Sequence, residues 1–399
     1  MTESRMAGHG RIRVALVAPT LRLLGGHSVQ AGKLIECWRH DSDVEIRLVP
    51  TNPDPPVALA PLHRIKYVRT AMTQLHYWPL LLRELRTADV VHVFAASNAS
   101  FFVAALPAIL MARVYGKPVV INHHGDDPER LFRMALPEGL LEGAALNVAP
   151  SRYFAEALSR RRIRTQVIPN VTDHQRFRYR VRKPLRPRLL STRHLEPIYN
   201  VACTLRAFRH VLDGNPDASL TVVGHGSQEG ALRTLCRQLQ LRGVTFAGRV
   251  AHSEIHHRYD AADIYVQSPR EDNMPGSIQE AFASGTPVVA TRVGGVPLML
   301  EHAVHGLLAP SDDDQALAAH IVHMLNHPDA ARTLAAAAFA RSQAYQWRLV
   351  RERWFQAYRS VLHQPRVPGL KPRLAEQIAG TEAVRPESRS STCRHDPPL

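Results

Sequence analysis

Cysteine is scarce in this chain of 399 residues, which has four cysteines and no C-x-x-C pair. This scattered arrangement argues against a structural zinc site and against a disulfide scaffold, and it is typical of a protein in a reducing compartment. The 22 histidines include no H-E-x-x-H or similar ligand spacing. The sequence therefore gives no zinc-type metal motif.

Long apolar runs are also missing. The most apolar segment, residues 99–112, is too short to span a bilayer and contains Pro107. Residues 1–10 are polar and small, so they predict a flexible leader and no secretory signal. We expect a cytoplasmic protein, with peripheral contact at the inner face of the cytoplasmic membrane left open.

Acidic residues are outnumbered, since 35 Asp and Glu face 50 Lys and Arg, for a net charge of +15 and a pI near 10.2. Such a surplus favours an anionic partner: nucleic acid, anionic lipid or a phosphate-bearing substrate. No RRM, KH, zinc-finger or helix-turn-helix pattern is present, so nucleic acid is not the expected partner. The densest basic run, within residues 160–193, fits either a solvated face or attraction to anionic headgroups.

Hydrophobic content of 45% and charged content of 21% describe a globular protein long enough for two domains. Strand and helix patterns alternate through both halves, which predicts an α/β fold of two Rossmann-like, doubly wound parallel sheets. The tail is rich in Pro, Ser, Arg and Glu and is expected to be disordered. The predicted segments are a leader at 1–10, a first domain at 11–174, a basic linker at 175–187, a second domain at 188–345, a closing helix at 346–362 and the tail at 363–399.

One stretch, residues 268–295, carries the most information. A loop leads into a helix predicted to start at Ser277 and to stop at Gly285, and an apolar strand and a Gly-Gly turn follow. The first backbone N–H groups of such a helix are unpaired and favour an anion. Glu280, one turn into the helix, suits ribose hydroxyls, so the stretch predicts a sugar-nucleotide pocket. Alternatively, Ser277 to Glu280 is an S-x-x-E capping box that needs no ligand.

The first half opens with the strand RVALVAP, a turn at Gly25 and Gly26, and a helix, which is the opening of a doubly wound domain; on its own the glycine pair indicates a plain tight turn. The turn is not G-x-G-x-x-G, so no nicotinamide or flavin cofactor is predicted. A later strand runs into His123 and His124, at the strand end where ligands of such sheets gather. His124 can donate to a sugar hydroxyl or a phosphate; the alternative is a turn histidine.

A helix predicted over residues 67–86 mixes basic and aromatic side chains. Such a helix could touch a membrane surface or an acidic acceptor. The alternative is an ordinary exposed helix that packs its aromatic side chains inward.

The stretch 268–295 resembles the signature of glycosyltransferase family 4, retaining enzymes of GT-B fold. Asp272 and Glu280 have the spacing of the two acidic family positions, and Glu271 is one residue early. Residues 273–276 stand in place of the glycine-rich loop. Further segments of the second half match, among them LLSTRHLEP, LTVVGHGSQEGALRTL, VTFAGRV and YDAADIYVQSP.

The resemblance implies a retaining hexosyltransferase that uses a UDP- or GDP-sugar, needs no metal, and acts on a lipid-linked or polysaccharide acceptor in cell-surface glycan synthesis. It implies that the first domain binds the acceptor and that the closing helix returns to that domain. It implies Arg193 on the diphosphate, Asp272 aided by Glu271 on the donor sugar, and His124 across the cleft. The remaining donor-binding residues implied are Glu280, Asn273, Met274, Gly276, Ser277, Gly25, Gly26, Gly224 and Arg249.

The chain departs from the family pattern at two places. Tyr199 stands where a lysine is usual, and Leu298 where an acidic residue is usual. Arg249 and Arg270 are candidates to supply the missing positive charge. Three other functions stay compatible with the sequence: an acceptor-independent, epimerase-like protein, a non-catalytic GT-B subunit, and a nucleic-acid-binding protein.

Overall fold

A computed structural model describes residues 10–20, 26–53, 66–96, 100–133 and 138–364. The predicted leader up to residue 9, Gly25 and the predicted tail beyond residue 364 lie outside these ranges. The described residues form two parallel six-stranded sheets, each covered by helices. The α/β, GT-B-like prediction of two doubly wound halves is confirmed; the exact domain boundaries stay predictions.

The first sheet has the strand order β2-β1-β3-β4-β5-β6. Its strands are β1 Ile12–Ala18, β2 Val44–Pro50, β3 Val90–Ala95, β4 Val119–His123, β5 Leu146–Ala149 and β6 Thr165–Val167. Its helices are α1 Gly26–Trp38, α2 Lys66–Thr87, a π-helical turn Phe101–Ala105, α3 Leu106–Val114, α4 Pro128–Arg133, α5 Glu138–Glu142 and α6 Arg152–Arg160.

The second sheet has the order β12-β11-β10-β7-β8-β9. Its strands are β7 Arg188–Thr192, β8 Ser219–Val223, β9 Val244–Gly248, β10 Ile264–Gln267, β11 Val288–Thr291 and β12 Leu307–Ala309. The helices of this half are α7 Val201–Gly214, α8 Glu229–Gln238, α9 Ile255–Ala261, α10 Gly276–Ala283, α11 Val296–Met299, α12 Asp314–Asn326 and α13 Pro328–Ser342, followed by α14 Trp347–Leu362.

The central strands are buried along their whole length and mostly apolar because helices cover both faces of each sheet. Every residue of β3 and of β11 is buried, as expected for a parallel sheet. Apolar clusters lie on both faces of each sheet. The result is that polar side chains with chemistry collect at the strand ends rather than on the faces.

The closing helix α14 returns to the first sheet, as predicted. Val350, Trp354 and Tyr358 join the apolar cluster beneath β1 and β3. On the same helix, Arg351 forms ion pairs with Asp41 (2.6 Å) and Asp43 (2.5 Å). The C-terminal part of the described chain therefore ties the second half to the first.

Two helical segments have features that the sequence patterns did not show. The segment that starts at residue 197 is interrupted, because Asn200 adopts a left-handed conformation (φ 45°) between a 3-10 turn, Pro197–Tyr199, and α7; asparagine tolerates this conformation better than most residues. In α2, Tyr77 points inward, but Trp78 is 38% exposed. Of the described helices, none combines the length and the apolar character needed to cross a membrane.

Candidate active site

A cavity of about 330 Å³ lies where the two halves meet. The carboxyl ends of the strands in both sheets point toward it, which is where ligands of such sheets bind. Its lining includes Gly26, His27, Lys33, His124 and Asp126 from the first half, and Arg193, Gly224, Arg249, Asp272, Asn273, Met274, Gly276, Ser277 and Glu280 from the second.

Arg193 directly follows β7, and its side chain is only 11% exposed. Its Nη2 lies 2.6 Å from Asp272 Oδ2, and Nη1 donates to Ser277 Oγ at 3.3 Å. The guanidinium carbon lies 4.1 Å from the centre of the Tyr199 ring. Tyr199, which replaces the usual lysine, therefore supports the arginine by a cation–π contact instead of adding a second cation.

Asp272 is 3% exposed, and its environment resists ionisation. Burial raises the pKa of Asp272 to about 6, although the nearby Arg193 cation lowers it. Burial is the largest single influence on Arg193 and disfavours the cation, but Asp272, Tyr199, Tyr265 and Asp126 together raise the pKa of Arg193. The pair is thus a buried cation with one close carboxylate, and the cation stays charged at any working pH.

The Gly-Gly turn after β11 lets two backbone segments approach closely. A Cβ on Gly294 would lie 2.1 Å from the carbonyl oxygen of Asp272, and Gly294 has φ +49°. Gly295 N donates to the same oxygen at 2.9 Å. Because a side chain does not fit at Gly294, this turn fixes the backbone that carries Asp272 into the cavity.

Helix α10 begins at Gly276, one residue earlier than predicted, with Pro275 as its N-cap. The capping-box alternative is wrong: Ser277 Oγ donates to Gln267 Oε1 at 3.0 Å and makes no cap contact. The first N–H groups of the helix have no intrahelical acceptor. These N–H groups lie beside Arg193, which contacts Ser277. Arg193 and the start of α10 together form a corner suited to an anion, and we call it the anion-binding corner.

Glu280 is 7% exposed and joins the two halves. Its Oε1 lies 3.3 Å from Lys33 Nζ on α1, and Tyr259 Oη donates to its Oε2 at 3.2 Å. Sequence reasoning missed Lys33, because the two residues are 247 positions apart and no local pattern marks the lysine. The carboxylate is held by side chains and not by the start of its own helix.

His124 follows β4 and stacks on Phe94, with ring centres 4.3 Å apart and planes at 7°. Burial lowers the pKa of His124 well below its usual value, so the ring is neutral at pH 7. Its Nε2 is buried and has no hydrogen-bond partner among the described residues. A buried ring nitrogen without a partner at the cavity wall fits contact with a bound molecule.

The side chain of Asn273 also makes contacts that the sequence did not predict. Its Oδ1 accepts a hydrogen bond from Ser151, and its Nδ2 donates to the Gly125 carbonyl at 3.0 Å. Both partners belong to the first half. The side chain of Asn273 therefore holds the loop against the first half, and the residue also lines the cavity.

Two residues proposed for the site lie elsewhere. Glu271 is exposed and absent from the described cavity lining. Arg270 pairs with Asp312 at 2.7 Å, is half exposed and does not line the cavity, so it is not the substitute cation. Gly25 is outside the described residues. The others line the cavity, and their roles stay predictions: Arg193, Asp272, His124, Glu280, Asn273, Met274, Gly276, Ser277, Gly26, Gly224 and Arg249.

No group of three or more His, Cys, Asp or Glu side chains is placed to hold a metal ion in the part of the chain that the structure describes. His123, a neighbour of the cavity residues, bonds Asn147 Oδ1 through Nε2 at 3.0 Å. The expectation that the reaction needs no metal stays a prediction.

Sequence models of two families match the chain. The one described as Glycosyltransferase Family 4 matches residues 24–176, and the one described as Glycosyl transferases group 1 matches residues 186–327. The chain belongs to glycosyltransferase family 4. The two matched segments line the cavity from opposite sides. The matches therefore cover both walls of the site in this glycosyltransferase.

The glycosyltransferase is similar to several known proteins. It is 27% identical over 308 residues to "Glycogen synthase" of Mycobacterium tuberculosis (strain CDC 1551 / Oshkosh), covering 72% of each chain. It is 30% identical over 161 residues to "Amylovoran biosynthesis glycosyltransferase AmsK" of Erwinia amylovora, covering 38% of this chain and 40% of that one.

A solved structure supports the fold. The crystal structure of Anabaena Alr3699/HepE in complex with UDP and glucose superimposes with a TM-score of 0.70 at 19% identity, covering 88% of this chain and 100% of that one. At this identity the likeness shows the GT-B fold alone.

Proposed function

We propose that this glycosyltransferase moves a hexosyl unit, with retention of configuration, from a UDP- or GDP-sugar to a lipid-linked or polysaccharide acceptor in cell-surface glycan synthesis. We place it in the cytoplasm, with peripheral contact at the membrane. One observation carries the proposal: Arg193, the start of α10, Glu280 and His124 all line one cavity between the halves. The name of the AmsK relative and the UDP and glucose in the HepE structure support it.

The anion-binding corner would receive the diphosphate of the donor. Negative charge grows on the diphosphate when the bond to the sugar breaks, and Arg193 with the first amides of α10 would stabilise it. Electrostatic interactions are stronger away from water. Arg193 is largely withdrawn from water, so its charge would act strongly on the diphosphate.

Glu280 would bind the ribose hydroxyls of the nucleotide. In the structure its Oε1 faces Lys33, so a ribose would share or replace this contact. Lys33 and Arg249 both line the cavity. They are the candidates for the positive charge that Tyr199 does not supply, and Lys33 is the better placed, with a side chain only 9% exposed.

The reaction would proceed by attack from the face of the leaving group. The bond between the anomeric carbon and the β-phosphate oxygen breaks, the acceptor oxygen bonds to that carbon, and the acceptor proton passes to the phosphate. Asp272 is a poor nucleophile for a covalent route, since its Oδ2 is held by Arg193. His124 Nε2 would contact the donor sugar.

Thermal-shift measurements with UDP-, GDP- and ADP-sugars test the proposal. A ligand at 100 times its Kd stabilises the folded state by about 2.7 kcal/mol, and we expect this for at least one donor. Glu280→Ala should abolish the shift. Glu254→Ala is the matched control, because that side chain is 61% exposed just before α9. If no donor raises the unfolding temperature, the proposed function is wrong.

A further inference from the structure

A second cavity, of about 290 Å³, lies in the first half beside the donor cavity. It sits at the carboxyl ends of β1, β2 and β3, between the start of α2 and the π-helical turn. His27 lines both cavities. A molecule in the second cavity therefore reaches the donor cavity next to His27, whose Nε2 donates to the His124 carbonyl at 2.9 Å.

The polar side chains of this second cavity suit sugar hydroxyls. Asn52 Oδ1 accepts from Thr20 N at 2.9 Å, and Gln74 Nε2 donates to the Val103 carbonyl at 3.0 Å. Each amide is thus fixed in orientation by one hydrogen bond, and its other polar atom has no hydrogen-bond partner among the described residues. Thr51 and Thr73 add hydroxyl groups to the lining.

One cation distinguishes the second cavity. Arg69 lines it, and none of the described lining residues is Asp or Glu. No described carboxylate lies within ion-pair distance of Arg69, whereas many other arginines of the protein are paired. An arginine without a carboxylate beside sugar-binding amides fits a phosphate group, which it can bind through two N–H groups.

The mouth of the second cavity continues into an apolar surface. Leu75, Trp78 and Leu82 are 72%, 38% and 44% exposed and share one face of α2, being three and four residues apart. Next to them, Phe102 is 38% exposed, and Val103 both lines the cavity and is 42% exposed. We call Leu75, Trp78, Leu82 and Phe102 the apolar strip.

The strip and the cavity form one continuous surface because α2 packs along residues 101–115. Tyr77 Oη donates to the Ala104 carbonyl at 2.6 Å, and Tyr115 Oη donates to the Leu82 carbonyl at 3.2 Å. An exposed aromatic and aliphatic patch of this kind marks a binding surface. At one end this surface reaches the cavity that Arg69 lines.

We infer that the second cavity binds the acceptor, and that the acceptor is an anionic amphiphile: a sugar linked through phosphate to an apolar chain. The sugar lies against the amides, the phosphate pairs with Arg69, and the chain lies along the apolar strip. The reacting hydroxyl then meets the donor sugar near His27. The inference rests on the proposed function, since it assigns the acceptor of the same reaction.

Calorimetric titration of the full-length protein with three probes tests the inference: farnesyl phosphate below its critical micelle concentration, farnesol, and inorganic phosphate. We expect farnesyl phosphate to bind at least ten-fold more tightly than either of the others. Arg69→Ala should remove the advantage over farnesol, and Trp78→Ser should weaken both farnesyl ligands. Arg83→Ala is the control on the same helix, because that side chain is 84% exposed and does not line the cavity.

The outcomes separate the parts of the inference. Equal binding of farnesyl phosphate and farnesol, or unchanged binding in Arg69→Ala, overturns the anionic part. Farnesyl phosphate binding no better than phosphate overturns the apolar chain and indicates a soluble phosphosugar. Thermal stabilisation by nucleotide sugars is measured on the same preparations, and it shows that each variant is folded. If this stabilisation persists while the probes fail to bind, only the acceptor assignment is wrong.

Discussion

Replacing Arg193 by methionine tests the donor site most directly. The change keeps much of the side-chain volume and removes the cation that contacts Asp272 at 2.6 Å and Ser277 at 3.3 Å. If the diphosphate binds in this corner, the variant loses charged hydrogen bonds to it. Such bonds contribute roughly 1.5–3 kcal/mol, which corresponds to about 10- to 150-fold weaker donor binding.

The same variant should show a pH-dependent loss of stability. Without Arg193, the pKa of Asp272, already raised to about 6 by burial, should rise further. In the folded state the carboxyl then keeps a proton that the unfolded state releases, so stability falls as pH rises from about 4 through the folded pKa. The destabilisation by Arg193→Met should therefore be larger at pH 8 than at pH 5.

Calorimetric titration with the best nucleotide sugar gives the binding constant, and urea unfolding at pH 5 and pH 8 gives the stability. Arg209→Met is the matched control: it removes an arginine paired with Asp213 on the surface, where the two side chains are 45% and 60% exposed. Such pairs contribute about 0–1 kcal/mol, and donor binding should not change. A folded Arg193→Met protein with donor affinity within two-fold of the wild type would refute the reasoning.

Three further predictions concern other parts of the molecule. Lys33→Met should lower turnover about ten-fold or more, the equivalent of 1.4 kcal/mol of leaving-group stabilisation, with partial recovery in Lys33→Arg; normal turnover would exclude Lys33 as the substitute cation. Burial lowers the pKa of His92 to about 3, so the unfolded state binds more protons than the folded state below pH 6.5. This residue should therefore cost about 2 kcal/mol of stability between pH 7 and pH 5. In urea unfolding, the free energy of unfolding of His92→Gln should fall less between these pH values than that of the wild type, and an equal fall would contradict this. Trp354→Ala in α14, 3% exposed, should lower the free energy of unfolding by about 3–5 kcal/mol; a loss below 1 kcal/mol would show that the closing helix contributes little.

The sequence alone determined the fold class, the family and the position of the site along the chain. Buried parallel strands are short and mostly apolar, and their turns carry glycine, so local patterns such as VVHVFA or the Gly-Gly turn at Gly294 are visible without a structure. The strand ends carry the polar residues, and Arg193, His124 and Glu280 indeed line one cavity. The strand and turn patterns depend on neighbours within a few residues, which is why the sequence alone shows them.

Only the tertiary structure decided which side chains meet. Glu280 looked like half of a capping box, but folding places Lys33, 247 positions away, against its carboxylate. Periodicity did not show that Tyr77 would be buried while Trp78 stayed exposed, because the packing of α2 against the segment 101–114 sets the helix rotation. Contacts between distant segments form only when both sheets and their helices are assembled, and no local pattern of residues encodes them.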